Sequence, residues 1–188
     1  DPIFSYEHTK QFFSGSIAPN LDVWAAGTIE GDIFLFKKGE EKPNNLRFST
    51  GSVRSIEFDH TGENFITADN LGNIFVANLN SLEKPTQIRH AHHESIECMR
   101  FLTESVIVVG DYGGHIKIWD LRTQKAVQTY RPDQDYISDI VTINDTNFVT
   151  TNGIGSCSVF NSNMNKRKQY YVQEDDDFTT VTYSKYLN

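Results

Sequence analysis

Residues 110–120 read Gly-Asp-Tyr-Gly-Gly-His-Ile-Lys-Ile-Trp-Asp, a glycine-rich turn that leads into an apolar run. The last glycine of this stretch belongs to a series, Gly31, Gly72, Gly114 and Gly155, with spacings of 41, 42 and 41 residues. A glycine suits such a turn because, without a Cβ, it adopts a positive φ at little steric cost. The chain therefore contains a repeat of about 41 residues, present four times in one register.

Each repeat also contains short runs rich in Val, Ile, Phe and Thr, which favour β-strands. The run directly before each turn lies at 22–26, 64–68, 105–109 and 147–151, and an earlier run lies at 13–17, 53–58, 96–101 and 137–141. A third run follows each turn, and a fourth, more polar run lies at 46–49, 86–89, 127–130 and 169–172. This pattern predicts four small antiparallel sheets, buried on both faces and exposed at their outer edge, and no stretch has the periodicity of a helix.

A four-stranded unit repeated every 40–45 residues is the pattern of a WD-repeat β-propeller. We therefore predict an all-β propeller with about four and a half blades, expected to be part of a seven-bladed ring or an arc closed by another chain. Each blade buries its faces only against its neighbours, so an open arc would leave apolar sheet at both ends. The predicted blades are residues 1–50, 51–92, 93–134 and 135–175, and residues 176–188 begin a fifth.

The third repeat alone combines three residues with which WD repeats form a side-chain network. His92 precedes the repeat, Asp111 lies near its turn, and Trp119 stands 27 residues after His92. Such a network holds a loop against its blade, which is a structural role. At the position of Trp119 the other repeats carry Phe36, Ala77 and Phe160.

The composition narrows the function classes. The chain has 188 residues and a formal net charge of -8, which argues against broad binding of phosphate backbones, since such binding needs a basic face. No apolar run approaches the roughly 20 residues of a membrane span, and the N-terminal residues do not have the pattern of a signal peptide. Cys98 and Cys157 lie 59 residues apart in β runs, so we expect small buried residues in a reducing, intracellular compartment rather than a disulfide, a zinc module or a nucleophile.

Several runs carry a likeness that goes beyond the generic repeat: residues 25–34, 110–120 and 136–140, together with 177–182. In this order they resemble the eukaryotic WD repeat-containing protein 55 family, including its fungal Jip5 relatives, over essentially the whole chain. The resemblance implies a non-enzymatic scaffold without a cofactor, located in the nucleus and nucleolus and also in the cytoplasm. It further implies a role in ribosomal RNA processing and large-subunit assembly, with assembly factors or ribosomal proteins as partners. The second repeat departs from the pattern, because it ends with Ala77-Asn78 instead of Trp-Asp.

His90, His92 and His93 form the one group at which metal chemistry can be proposed, because imidazoles are zinc ligands. A metal-dependent hydrolase built on them is the alternative from another function class. In an extended connection, His90 and His92 would point to one side and His93 to the other. We favour a loop with a single network histidine, His92, and neither a metal site nor a catalytic site.

The run Trp119-Asp120-Leu121-Arg122 has the form WDxR, which some propellers use to dock on the adaptor of a cullin-based ubiquitin ligase. Arg122 would supply the forked guanidinium for a carboxylate or carbonyl of the adaptor. A ligase substrate receptor is therefore the alternative function among binding modules. The simpler interpretation, which we favour, is the standard end of a blade followed by a turn.

Loops between blades form the binding surfaces of propellers, because they lie over a rigid scaffold. On topology alone, this places candidate partner contacts at the starts of inner strands and in the inner turns. The candidates are Arg54, Glu94, Arg100, Tyr112 and Tyr136.

Two charged runs stand near the end of the chain, Lys-Arg-Lys at 166–168 and Glu-Asp-Asp-Asp at 174–177. Solvated loops explain both runs. The functional alternative is that the acidic run binds a basic ribosomal protein or assembly factor and that the basic run binds ribosomal RNA. Both contacts would weaken as the salt concentration rises.

Overall fold

The computed structural model describes residues 6–7, 9–20, 22–131, 135–163, 166–171 and 178–184. In these ranges the chain forms sixteen β-strands and no helix, which confirms the prediction of an all-β fold. The strands make four antiparallel sheets of four strands each. A helix long and apolar enough to cross a bilayer does not occur among the described residues.

The four sheets follow one another along the chain and are numbered here as blades 1 to 4. Blade 1 contains β1 (Phe12–Ile17), β2 (Val23–Thr28), β3 (Asp32–Lys37) and β4 (Asn44–Arg47). Blade 2 contains β5 (Val53–Phe58), β6 (Asn64–Asp69), β7 (Ile74–Asn78) and β8 (Thr86–Ile88). Blade 3 contains β9 (Ile96–Phe101), β10 (Val106–Asp111), β11 (Ile116–Asp120) and β12 (Lys125–Tyr130). Blade 4 contains β13 (Ile137–Asn144), β14 (Asn147–Asn152), β15 (Ser156–Asn161) and β16 (Lys166–Tyr171).

Each blade is a meander in which consecutive strands are neighbours, as in the order β1-β2-β3-β4. The inner strands β1, β5, β9 and β13 pack side by side across consecutive blades. The second and third strands are mostly buried between neighbouring blades, whereas β12 at the outer edge of blade 3 is almost wholly exposed. This arrangement is that of successive propeller blades and confirms the predicted fold class.

Three apolar cores fill the spaces between consecutive blades. Phe65 lies in the core between blades 1 and 2, Met99 in the core between blades 2 and 3, and Phe148 in the core between blades 3 and 4. These three side chains are fully buried. Burial of apolar surface between neighbours, rather than within one sheet, therefore holds the blades together.

The repeat glycines have the backbone conformation that the sequence predicts. Gly31, Gly72, Gly114 and Gly155 have φ values of 92°, 78°, 79° and 69°. Gly72 is also closely packed, because a Cβ at this position would lie 2.1 Å from the carbonyl oxygen of His92. A side chain here would collide with the connection that leads into blade 3.

Two segments differ from the expectation. The outer strand β4 ends at Arg47, so Phe48 lies after it, with its ring 6.2 Å from that of Phe65 in the core between blades 1 and 2. Residues 178–184 are not in a strand, although the sequence predicts the start of a blade there. They lie against β13, because the Thr180 hydroxyl and the Val181 amide donate to Oδ2 of Asp139, at 2.9 and 3.1 Å.

Candidate protein-interaction surface

The turns between the second and third strands of all four blades lie on one face of the molecule, together with the connections that lead into the inner strands. Hydrogen bonds join turn to connection. The Asn70 amide donates to the carbonyl oxygen of Ser52 (3.1 Å), and the Tyr112 amide donates to that of Ser95 (2.8 Å). We call this surface the turn face and define it by the turns 29–31, 70–73, 112–115 and 153–155 and the connections 48–52, 89–95 and 135–136.

Each turn presents one large apolar side chain to solvent. The exposed fractions are 45% for Ile29, 50% for Leu71, 60% for Tyr112 and 53% for Ile154. A single exposed apolar residue needs no explanation, but here the corresponding turn of each of four successive repeats carries one on the same face. The turn face is therefore the candidate functional site.

A polar side chain at the end of each second strand holds the backbone of the turn. Its oxygen accepts a hydrogen bond from the amide four residues further along, as in an Asx or Ser/Thr turn. The pairs, with the oxygen-to-nitrogen distances, are Thr28 with Asp32 (3.0 Å), Asp69 with Asn73 (2.8 Å), Asp111 with His115 (2.7 Å) and Asn152 with Ser156 (2.8 Å). The exposed apolar residues thus stand on turns whose backbone is fixed.

In blades 2 and 3, the same aspartate also binds the incoming connection. Ser49 Oγ donates to Oδ2 of Asp69 at 2.5 Å, and Nδ1 of His92 lies 2.7 Å from Oδ2 of Asp111. Burial lowers the pKa of His92, so its ring is neutral and Nδ1 donates to the carboxylate. Burial acts to raise the pKa of Asp111, but hydrogen bonds from His92 and from the His115 amide bring it below its ordinary value.

The predicted network of His92, Asp111 and Trp119 has one hydrogen bond, the one between His92 and Asp111. The indole nitrogen of Trp119 is buried and finds no hydrogen-bond partner among the described residues. Trp119 instead packs in the core between blades 2 and 3, and Nζ of Lys117 lies 5.9 Å from its ring centroid. Lys117 donates to the carbonyl oxygen of Ala91 at 2.6 Å, and burial lowers its pKa. Trp119 therefore contributes packing rather than a hydrogen bond to this part of the blade.

Three of the predicted partner contacts, Glu94, Tyr112 and Tyr136, lie together on the turn face. The rings of Tyr112 and Tyr136 are stacked, with centroids 5.7 Å apart and an interplanar angle of 15°. Glu94 is exposed in the connection beside them. Their role as partner contacts stays a prediction.

Arg54 and Arg100 lie elsewhere, on the inner strands β5 and β9, where they line a cavity of about 180 Å³. Arg54 forms an ion pair with Glu97 (2.8 Å), and Arg100 forms one with Asp139 (3.1 Å). Arg54 stands near the start of β5, as the sequence predicts, whereas Arg100 lies near the end of β9, and for this residue the expected position is corrected. Their guanidinium groups link the inner strands of blades 2, 3 and 4.

Glu57 on β5 adds a titratable group beside these arginines. Its carboxylate lies 3.6 Å from Arg100 and accepts a hydrogen bond from the amide of Phe101 (3.3 Å). Burial raises the pKa of Glu57 to about 7, although the charge of Arg100 acts to lower it. The carboxyl group of Glu57 therefore gains or loses its charge near neutral pH.

The chain is similar over most of its length to WD repeat-containing proteins of several organisms. The WD repeat-containing protein 55 of Bos taurus is 30% identical over 176 residues, which cover 89% of the chain and 46% of that protein. The protein of the same name from Arabidopsis thaliana is 26% identical over 172 residues, covering 89% and 49%. The homolog from Dictyostelium discoideum is 31% identical over 152 residues, covering 79% and 37%. The chain thus spans about half the length, or less, of these relatives, and no family model matches it.

The chain is a WD-repeat protein that resembles WD repeat-containing protein 55. Its four sheets are WD-repeat propeller blades, as the repeat length predicts. WD-repeat proteins generally mediate contacts between proteins and act as non-enzymatic scaffolds. The turn face, with its exposed apolar residues, suits that class of function.

The WDxR run lies where β11 ends, at the opposite end of that strand from the turn face, and leads into the outer strand β12. Nε and one terminal nitrogen of Arg122 donate to the two carboxylate oxygens of Asp120, at 3.1 and 2.9 Å. These hydrogen bonds lower the pKa of Asp120, while the Arg122 side chain stays 72% exposed. The guanidinium fork that a ligase adaptor would need is thus already engaged within its own turn.

The three histidines of the possible metal site are not arranged as an extended connection would place them. His90 has a φ of 50°, so the chain turns at this residue. His92 is buried, whereas His90 and His93 are exposed. The expectation that His90 and His92 point to one side is therefore wrong. In the part of the chain that the structure describes, no three His, Cys, Asp or Glu side chains are placed to hold a metal ion.

Cys98 is buried between blades 3 and 4, as the sequence predicts. Cys157 is only half-buried on β15, so the expectation of a buried residue is not met there. Burial raises the pKa of both thiols, which opposes formation of a reactive thiolate. The acidic run at 174–177 lies outside the described residues, and only the backbone of the basic run 166–168 is described, in β16. Their charged contacts stay predictions.

Sequence reasoning missed most of the residues that fix the turns, because it searched for the His and Trp-Asp pattern. A signal was available in the register of the repeat. Each turn-capping residue stands three positions before its repeat glycine, and each carries a side-chain oxygen. These residues are Thr28, Asp69, Asp111 and Asn152.

Proposed function

We propose that the chain is the protein-binding part of a nucleolar scaffold for ribosomal RNA processing and large-subunit assembly. The observation that carries this proposal is the turn face, where four successive blades each expose one apolar residue on a capped turn. The similarity to WD repeat-containing protein 55 supports the same class of protein. The nucleus and nucleolus are the expected location on the basis of that resemblance.

The partners in this proposal are ribosomal proteins or assembly factors that combine apolar and basic segments. A net charge of -8 favours basic proteins over phosphate backbones, because unlike charges attract and like charges repel across an interface. The chain binds these partners and neither catalyses a reaction nor holds a cofactor.

The test uses the full-length protein that contains these blades, expressed with a tag in its own cells. Replacing Ile29, Leu71 and Ile154 with serine should reduce the fraction that sediments with large-subunit precursors about tenfold or more, as loss of central interface residues does. The measurement is a sucrose gradient with quantitative immunoblotting. Val127→Ser is the matched control, because Val127 is 53% exposed but lies on the outer strand β12. Association of the triple variant at the control level would contradict the proposal.

A ligase substrate receptor is the second candidate, favoured by the exposed guanidinium of Arg122 in the turn between β11 and β12. An adaptor would have to compete with Asp120 for that group. Arg122→Ala should then abolish capture of a cullin adaptor, whereas Arg131→Ala, at another exposed arginine, should not. Equal capture of the adaptor by both variants, or no capture by the unchanged protein, would exclude the ligase function.

A further inference from the structure

The stacked tyrosines leave an open aromatic surface on the turn face. Tyr112 is 60% exposed, and Tyr136 covers one side of its ring, with the ring planes inclined by 15°. The opposite side of the Tyr112 ring faces away from this contact. An exposed tyrosine ring offers a negative π face to a cation.

The backbone fixes both tyrosines in this arrangement. The amide of Tyr112 donates to the carbonyl oxygen of Ser95 (2.8 Å), and the amide of Gly153 donates to the carbonyl oxygen of Tyr136 (3.3 Å). Gly153 also makes room for the ring, because a Cβ there would lie 2.2 Å from Cε1 of Tyr136. The stack is therefore a built feature of the loops rather than a chance contact of two surface residues.

Carboxylates lie beside this aromatic pair. The side chain of Glu94 lies beside the turn that carries Tyr112, since a Cβ on Gly113 would be 3.0 Å from Cγ of Glu94. Glu94 is exposed and forms no ion pair with any residue that the structure describes. Asp135, next to Tyr136, accepts a hydrogen bond from the Tyr136 amide at 2.8 Å. The surroundings of the stack are thus acidic.

We infer that Tyr112, Tyr136 and Glu94 form a binding site for an arginine side chain of a partner protein. The flat guanidinium would stack on the open side of Tyr112 and donate to the Glu94 carboxylate. Arginine fits better than lysine because it combines stacking with forked hydrogen bonds, whereas an ammonium is a compact, strongly hydrated charge. A nucleic-acid base would also stack on tyrosine, but its phosphate would approach Glu94 and Asp135 and be repelled.

The inference rests on the proposed function, since it names what one part of the turn face binds. The two can still fail separately. The arginine site is tested on the isolated chain with a small peptide, whereas the scaffold function is tested by sedimentation with residues other than Tyr112.

The test is a titration of the whole chain with acetyl-Gly-Arg-Gly-amide, followed by the NMR signals of the tyrosine rings. The largest chemical-shift changes should occur in the rings of Tyr112 and Tyr136. Two comparison peptides, in which lysine or uncharged citrulline replaces the arginine, should bind more weakly. Tyr112→Ala should weaken binding about 2- to 5-fold, the size of an exposed cation–π contact. Tyr112→Phe should retain binding, because the ring face is kept, and Glu94→Gln should weaken it.

Val127→Ala is the matched control, because Val127 is 53% exposed but lies on the outer strand β12, outside the turn face. Unchanged peptide affinity in Tyr112→Ala, or equal losses in Tyr112→Ala and Val127→Ala, would overturn the arginine site. So would tighter binding of a short RNA oligonucleotide than of the arginine peptide at the same salt concentration. The circular dichroism spectrum of each variant confirms that its blades are folded.

Discussion

Blades 2 and 3 attach the connection that leads into the blade through different side chains. In each blade an aspartate at the end of the second strand holds both its own turn and the incoming connection. Asp69 of blade 2 binds the hydroxyl of Ser49, whereas Asp111 of blade 3 binds the imidazole of His92. The difference lies in solvent access, because Ser49 is only half-buried and the His92 side chain is fully buried. The same contact is therefore expected to contribute more to stability in blade 3.

The largest expected effect separates the two aspartates. Asp111→Ala leaves the buried ring of His92 without its partner and should lower the free energy of unfolding by about 3 kcal/mol. Asp69→Ala removes more hydrogen bonds, but Ser49 and Asn73 are partly exposed and can bond to water, so about 2 kcal/mol is expected. Urea denaturation of both variants measures the difference.

Asp111→Asn is the control for this pair, because its side-chain oxygen can still accept a hydrogen bond from the His115 amide. It should therefore lose less stability than Asp111→Ala. Equal losses for Asp111→Ala and Asp69→Ala would show that burial of the partner does not decide the effect. A larger loss for Asp69→Ala would mean that the number of hydrogen bonds decides it.

A smaller effect is expected where the two blades meet. In the turn of blade 2, the carbonyl oxygen of Gly72 accepts a hydrogen bond from the amide of His92 at 3.1 Å. Gly72 itself has a φ of 78°. Gly72→Ala adds a Cβ to a left-handed residue and forces it against the carbonyl of His92, so a loss of about 2 kcal/mol is expected. Gly39→Ala provides the matched control, because Gly39 has a φ of 85° but no atom within 4 Å of the added Cβ. Its loss should be about 1 kcal/mol, from conformation alone. Denaturant titration of the two alanine variants tests this, and equal losses would exclude the collision as a cause.

Most of the fold could be predicted from the sequence, because one register of glycines fixes every blade. Gly31, Gly72, Gly114 and Gly155 stand at nearly equal spacing, and their positive φ requires a residue without a Cβ. Strand ends were less predictable, since packing decides them. Phe48 looks like part of an outer strand but packs beside Phe65, so β4 ends before it.

The candidate site was less predictable than the fold, because its residues are chosen by three-dimensional neighbours. Nothing local in the sequence distinguishes Arg100, which pairs with Asp139 on the next inner strand, from Glu94 on an exposed loop. The stack of Tyr112 on Tyr136 joins two blades and likewise has no local signal. By contrast, the capping aspartates stand at a constant distance from the repeat glycine and were within reach of sequence reasoning.

The smallest expected effect concerns pH and again separates the two blades. Burial lowers the pKa of His92 below its ordinary value of 6.5. Below pH 6.5 the imidazole of His92 therefore binds a proton in the unfolded chain but not in the folded chain. His92 therefore makes the fold less stable as the pH falls below about 6.5, by about 1 kcal/mol per pH unit. Ser49 in blade 2 does not titrate and adds no such slope. Urea denaturation at pH 7.5 and 5.5 should show that the stability cost of His92→Gln shrinks on acidification, while that of Ser49→Ala stays constant.

The total pH dependence of the wild-type chain would not reveal this contribution, because Glu57 acts in the opposite direction. Burial raises its pKa from 4.5 to about 7, so between these values the folded chain holds a proton that the unfolded chain releases, and the fold gains stability as the pH falls. The two slopes oppose each other between pH 6.5 and 4.5. Removing one group should expose the other: Glu57→Gln should become less stable on acidification, and His92→Gln more stable. Parallel profiles for the two variants would mean that neither buried group has the pKa shift on which the comparison of the blades depends.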